Sequence, residues 1–205
     1  MSLIWSGIWR TAGSYAVPVS CLLAFGSAGC DNATSAVGDQ NGTGDQNGSG
    51  LHLSSTAFSD GSAMPERFTA DGDDVSPPLA IENEIDGAVS LALIVDDPDA
   101  PGDAPFIHWV LYGLPADVSV IPEGATDLTL ASIGNDVSEG RNGFGNIGYG
   151  GPAPPPDDDA HTYRFMLFAL DSVIDAEEGL SAAELQALID DITVASAVLT
   201  GTYDR

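Results

Sequence analysis

Ser90-Leu91-Ala92-Leu93-Ile94-Val95-Asp96-Asp97-Pro98-Asp99-Ala100-Pro101 is the stretch that decides how this chain folds. An uncharged apolar run breaks abruptly into aspartate and proline. Phe106-Ile-His-Trp-Val-Leu111 is a second short run, again bounded by Pro, Gly and Asp. Runs of this length between turn residues read as buried strands. His161–Leu170 is longer, with Tyr163, Phe165 and Leu167 on one face and Met166, Phe168 and Leu170 on the other. Two apolar faces predict a central strand between packed layers.

Helix signals come late. Ser181-Ala-Ala-Glu184 is a capping box, followed by Leu185, Leu188, Ile189 and Ile192 at helical spacing. A second helical piece is expected over Val194–Leu199, ending at Gly201 as its C′ residue. Strands with one or two closing helices predict a mainly β fold, a β-sandwich with peripheral helices.

Upstream, the composition changes. Residues 31–50 are Gly, Asp, Asn, Gln and Ser with almost nothing apolar, and Gly38–Gly42 repeats as Gly44–Gly48. Such a segment reads as a flexible linker. Before it, Arg10, the apolar stretch Tyr15–Phe25 and the small residues Ser27-Ala28-Gly29 precede Cys30. This is the layout of a secretory signal. Ser-Ala-Gly-Cys resembles a bacterial lipobox, with Ser27 where Leu is usual. The expected organisation is a lipoprotein signal peptide over 1–29, a lipidated Cys30 with its linker over 30–50, and a folded domain over 51–205. The expected location is outside the cytoplasmic membrane of a bacterium, held there by the lipid alone.

Charge and cysteines exclude several functions. The chain has 31 acidic residues against 5 arginines, and no lysine. Nucleic acids and anionic membrane surfaces need basic patches, so neither is an expected partner. Cys21 and Cys30 are the only cysteines, so the domain expected over 51–205 has no disulfide, thiolate nucleophile or cysteine zinc site.

Three segments carry candidate chemistry. They are Asp97-Pro98-Asp99-Ala100-Pro101, then His108-Trp109, then Gly148-Tyr-Gly-Gly-Pro-Ala-Pro-Pro155 with His161-Thr-Tyr163. The third is a glycine- and proline-stiffened loop suited to presenting backbone to a pocket. Two histidines and a tyrosine can donate to an oxyanion, and an aspartate can hold an imidazole in one orientation.

These motifs, in this order, resemble the phosphatidylethanolamine-binding protein family, also called Raf kinase inhibitor-like proteins. Asp71-Gly-Asp-Asp-Val-Ser-Pro-Pro-Leu79, Gly140-Arg-Asn-Gly-Phe-Gly145 and Leu199-Thr-Gly-Thr-Tyr-Asp-Arg205 add to the resemblance, the last to its bacterial and archaeal branch. It implies a sandwich of two antiparallel sheets with C-terminal helices and a pocket for phosphate, phosphoryl-ethanolamine or acetate-like anions. By position the pocket would be Asp97, His108, His161 and Tyr163. Asp99 and Pro101 would shape its rim, and a wall from Gly151 to Pro155 would include Pro152 and Pro154. It also implies regulation of a partner kinase or protease by binding, with a homodimer as one candidate assembly and no cofactor. The sequence departs from the family's His-Arg-Tyr at Thr162, which removes a cation, and Pro156-Asp-Asp-Asp159 puts three carboxylates near the site.

Two rival readings use the same residues. A weak hydrolase or lyase would use His108 and His161 as an acid–base pair, although Gly-x-Ser-x-Gly is absent. A metal enzyme would use Asp97, Asp99, His108 and His161. The tyrosine and proline-rich wall fit an anion pocket better.

Overall fold

The computed structural model describes residues 50–205. The signal peptide, Cys30 and the linker as far as residue 49 lie outside these residues. In chain order the strands are β1 Leu51–Ser54, β2 Ser62–Ala63, β3 Leu79–Asn83, β4 Ser90–Asp97, β5 Phe106–Pro115, β6 Val120–Ile121, β7 Ser138–Glu139, β8 His161–Leu170 and β9 Thr193–Tyr203. Helix α1 spans Asp127–Ile133 and α2 spans Ala182–Ile189.

Two sheets result, ordered β1-β3-β6 and β2-β9-β8-β4-β5-β7. All pairs are antiparallel except β2 on β9, a short parallel pair that sets Ser62 beside Gly201. β4 is the hub: it pairs β5 on one side and β8 on the other. That position explains its sequence, since a strand covered on every side has no polar face to show. All its residues are buried.

β8 sits beside β4 at the middle of the sheet, and its two apolar faces serve two cores. Tyr163, Phe165 and Leu167 pack between the sheets with Trp109, Leu93 and Phe68. Met166, Phe168 and Leu170 face outward, toward Leu185 and Ile189 of α2. Helix α2 is held at its start by the expected box: Ser181 Oγ accepts from the Glu184 amide, and the Glu184 carboxylate accepts from the Ser181 amide.

The second helix expected over Val194–Leu199 is strand β9 instead. Its exposure alternates residue by residue from Thr193 to Val198, and it pairs along β8 from His161↔Tyr203 to Leu170↔Thr193. The reason is local and tertiary together. β-Branched Thr193, Val194, Val198, Thr200 and Thr202 lose side-chain freedom in a helix and fit a pleated surface. Gly201 acts through its missing side chain: a Cβ there would lie 2.5 Å from Met64 Cγ. Helix α1 and the strands of the smaller sheet went unread in the sequence.

Candidate functional site

The ends of β4, β5 and β8 converge on one end of the larger sheet. Pleating sends the consecutive aspartates of β4 in different directions. Asp96, opposite Arg164 in register, takes two hydrogen bonds from that guanidinium, at 2.8 and 2.6 Å. Asp97 instead accepts from His161 Nδ1 through Oδ2 at 2.8 Å. Its Oδ1 accepts from the Asp99 amide at 2.9 Å, closing the Asp-Pro-Asp turn. Asp99 Oδ2 then accepts from the Thr162 amide at 2.8 Å. The Asp97–Asp99 turn thus staples the start of β8, holding the His161 ring through Nδ1 and the backbone at the next residue, Thr162.

His108, one strand over, is also buried. Its Nδ1 donates to the Gly150 carbonyl at 2.6 Å, and the Gly150 amide donates back to the His108 carbonyl at 2.9 Å. A carbonyl can only accept, so this bond sets the tautomer: Nδ1 carries the proton and Nε2 keeps a lone pair.

The Gly140–Gly145 motif builds a third side. Asn142 Oδ1 accepts from the amides of Phe144 and Asn146, and its Nδ2 donates to the Gly148 carbonyl. The turn carries Phe144 over Phe106 and His108, edge-on, at ring distances of 4.8 and 6.0 Å.

Together these residues enclose a cavity of about 170 Å³. Its polar residues are Asp97, His108 and His161; its apolar walls are Ala100, Pro101, Phe106, Phe144 and Ala153–Pro155. A cavity of about 150 Å³ holds a benzene-sized guest, so a phosphate-sized group fits and a whole lipid does not. Larger clefts of about 310, 460 and 670 Å³ have no histidine among their lining residues.

The two imidazoles are electrostatically unlike. Burial pushes the His108 pKa down, against the Gly150 carbonyl and the charges of Asp97 and Asp96. Burial also opposes a proton on His161, but the Asp97 hydrogen bond and the charges of Asp97, Asp99 and Asp158 outweigh it, and the His161 pKa is raised. The fold therefore favours a proton on the His161 ring and disfavours one on His108.

Other expected residues sit around the cavity rather than on it. Tyr163 is fully buried beneath His108, edge-on at 5.2 Å. Burial and then the Asp97 charge keep its phenol protonated well above the ordinary range, yet its hydroxyl has no hydrogen-bond partner among the described residues. The Asp99 carboxylate is used by the Thr162 amide. Gly151 donates to Asp74 Oδ1 and the Pro152 carbonyl accepts from Ala70. The lining part of the loop is Ala153–Pro155. Phe106 and Phe144 were missed as lining residues. Only the neighbouring Pro, Gly and Asn pattern hinted that Phe144 sits on a built turn. No group of three or more His, Cys, Asp or Glu residues among those described could hold a metal ion.

A β-sandwich whose larger sheet ends in a buried His–Asp pair beside a backbone-locked histidine defines a class. The phosphatidylethanolamine-binding protein family profile matches residues 54–204, and the chain belongs to that family. Within it, the chain is of the UPF0098 type. It is 38% identical over 155 residues to the UPF0098 protein of Methanothermobacter thermautotrophicus, covering 76% of this chain and 99% of that one. The crystal structure of a PEBP homolog from Chlamydia trachomatis superposes with a TM-score of 0.69 at 38% identity, covering 77% of this chain and 99% of that one. The crystal structure of Escherichia coli YbcL, a member of the mammalian PEBP family, gives 0.71 at 28% identity, covering 76% of this chain and 99% of that one.

Proposed function

We propose that this domain binds a small oxyanion, such as phosphate or a phospho-headgroup, either free or presented by a protein partner. The observation that carries the reading is the Asp97–His161 pair at 2.8 Å, facing a cavity of about 170 Å³ that His108 also lines. A cationic imidazole donates to an oxyanion at roughly twice the strength of a neutral donor. The neutral His108, with Nε2 unprotonated, accepts instead of donating, in contrast to the sequence expectation of two donors. One donor and one acceptor suit an oxyanion that keeps a proton, such as a hydrogen phosphate or a phosphomonoester monoanion. The unpartnered Tyr163 hydroxyl supplies a further donor if the ligand or a water reaches it.

The test is a titration of the purified domain with inorganic phosphate and with phosphoethanolamine, following the His161 and Tyr163 ring resonances. Saturable shifts at both rings are the expected outcome. Flat titrations with both ligands overturn the reading. The opposed pKa shifts also favour a second reading, because a neutral base beside a cationic acid is an acid–base pair. Release of inorganic phosphate from a phosphomonoester in the same titration would point to a weak hydrolase.

On the same footing, we read the segment before the domain as an export signal with a lipid anchor at Cys30. Cys30→Ala should move the full chain from the membrane to the soluble fraction and remove the mass of the lipid. Identical fractionation of variant and wild type would sink that reading.

A further inference from the structure

We propose that Asp158 is a built-in competitor for the anion in the His161 pocket, and so sets which ligands the pocket admits; this rests on the oxyanion reading above. His161 is occupied on one side only. Its Nδ1 is held by Asp97, and its Nε2 is left for a ligand. Asp158 Oδ2 lies 3.8 Å from that nitrogen, with the His161 side chain 7% exposed and that of Asp158 52% exposed. Asp158 stands just outside the residues that line the cavity, and at this distance its carboxylate competes for the Nε2 proton that an incoming oxyanion would use.

The chain builds this placement. The Asp158 amide donates to the Pro155 carbonyl at 3.3 Å, closing a turn over Pro155–Asp158. Pro156 is the second residue, where its fixed φ suits the turn, and Asp157 is the third, with φ at +73°. A side chain in that left-handed region is uncommon outside Gly, Asn and Asp. The turn ends with Asp158 three residues before His161. The neighbouring Asp157 and Asp159 are exposed, and neither is within ion-pairing distance of His161 in the way Asp158 is.

Two effects of Asp158 oppose each other. Its charge helps keep His161 protonated, which favours anion binding. It also repels the anion at contact range and must move aside when one binds. The second effect dominates, because Asp97 already holds the His161 Nδ1 proton at 2.8 Å from the other side of the ring, while Asp158 faces Nε2, where the anion would bind. Asp158 adds little that the pocket lacks and takes away the position it needs. The pocket therefore discriminates against small, strongly charged free anions.

The experiment titrates inorganic phosphate into wild type, Asp158→Asn and Asp159→Asn at low and high salt, while the His161 ring is followed by NMR. Asp158→Asn should bind phosphate on the order of fivefold tighter at low salt, the effect of removing one half-exposed like charge at short range. The gain should shrink as salt screens the remaining charge. The His161 pKa should fall in the same variant, the opposite direction from its affinity, which a merely structural change would not produce. Asp159→Asn should stay near wild type. Phosphate binding to Asp158→Asn no tighter than to wild type, or an equal gain in Asp159→Asn, overturns the competitor. Binding by none of the three overturns the oxyanion reading itself, and the competitor with it.

Discussion

Asp97→Ala should lower the stability of the domain by about 3 kcal/mol, the lower end of the cost of breaking a buried ion pair. The Asp97 and His161 side chains are 5% and 7% exposed. Truncation leaves the imidazole without its acceptor and the Asp99 amide without its bond, and it loosens the turn that staples β8. The loss stays at the lower end because His161 can release its proton once its partner is gone, whereas an arginine could not. For a domain of this size, each kcal/mol moves the thermal midpoint by roughly 2–4 °C, so a fall of roughly 6–12 °C is expected in calorimetry. A midpoint unchanged within about 2 °C would show that the pair contributes nothing net.

The same pair fixes a pH dependence. The folded-state pKa of His161 is raised. Its contribution is therefore complete below the unfolded value of about 6.5 and fades as pH rises through the folded value. His108 acts at the other end. Its folded-state pKa is lowered, so below about pH 6.5 the unfolded chain takes up a proton that the folded chain refuses, and stability falls with pH. Asp97→Ala should remove the loss on the alkaline side and leave the acid-side loss in place. An alkaline limb that survives in the variant would assign it to another group.

His161→Ala should weaken phosphate binding by about 10- to 150-fold, the worth of one charge-assisted hydrogen bond of roughly 1.5–3 kcal/mol. His108→Ala should cost less, about 0.5–1.5 kcal/mol, because a neutral acceptor is lost rather than a cation. In wild type, affinity should drop as pH rises through the raised His161 value, and His161→Ala should show no such step. Calorimetric titration at several pH values reads both effects. Equal losses in the two variants would mean that both histidines are cationic in the complex. Undiminished binding in His161→Ala would place the anion elsewhere.

The sequence and the tertiary structure contributed different parts of this picture. Strands β4, β5 and β8 were legible because their signal is local: short apolar runs ended by Pro, Gly and Asp, or two apolar faces on one segment. The cap of α2 was legible for the same reason, since Ser181 and Glu184 satisfy each other within one turn. The family was legible because its motifs keep their order along the chain. Strand β9 is not legible locally, because Val194–Leu199 carries apolar residues that suit either period. Pairing with β8 along its length decided the matter, and that partner is some thirty residues away in sequence.

Site residues divide in the same way. Sequence order brought Asp97, His108 and His161 into consideration as polar residues beside strand ends. It carried no information on which atom of each would be used. The Gly150 carbonyl fixes the His108 tautomer, and Asp97 takes His161 Nδ1, through contacts spanning 42 and 64 residues. Burial then pushes one imidazole toward neutrality, and against burial three carboxylates favour the proton on the other. The sequence by itself determined β4, β5 and β8, the capped helix and the motif residues, because these depend on near neighbours. Only the tertiary structure decided β9, the walls of Phe106 and Phe144, the protonation of each histidine and the place of Asp158, because hydrogen bonds and desolvation act between residues that the chain brings together only when folded.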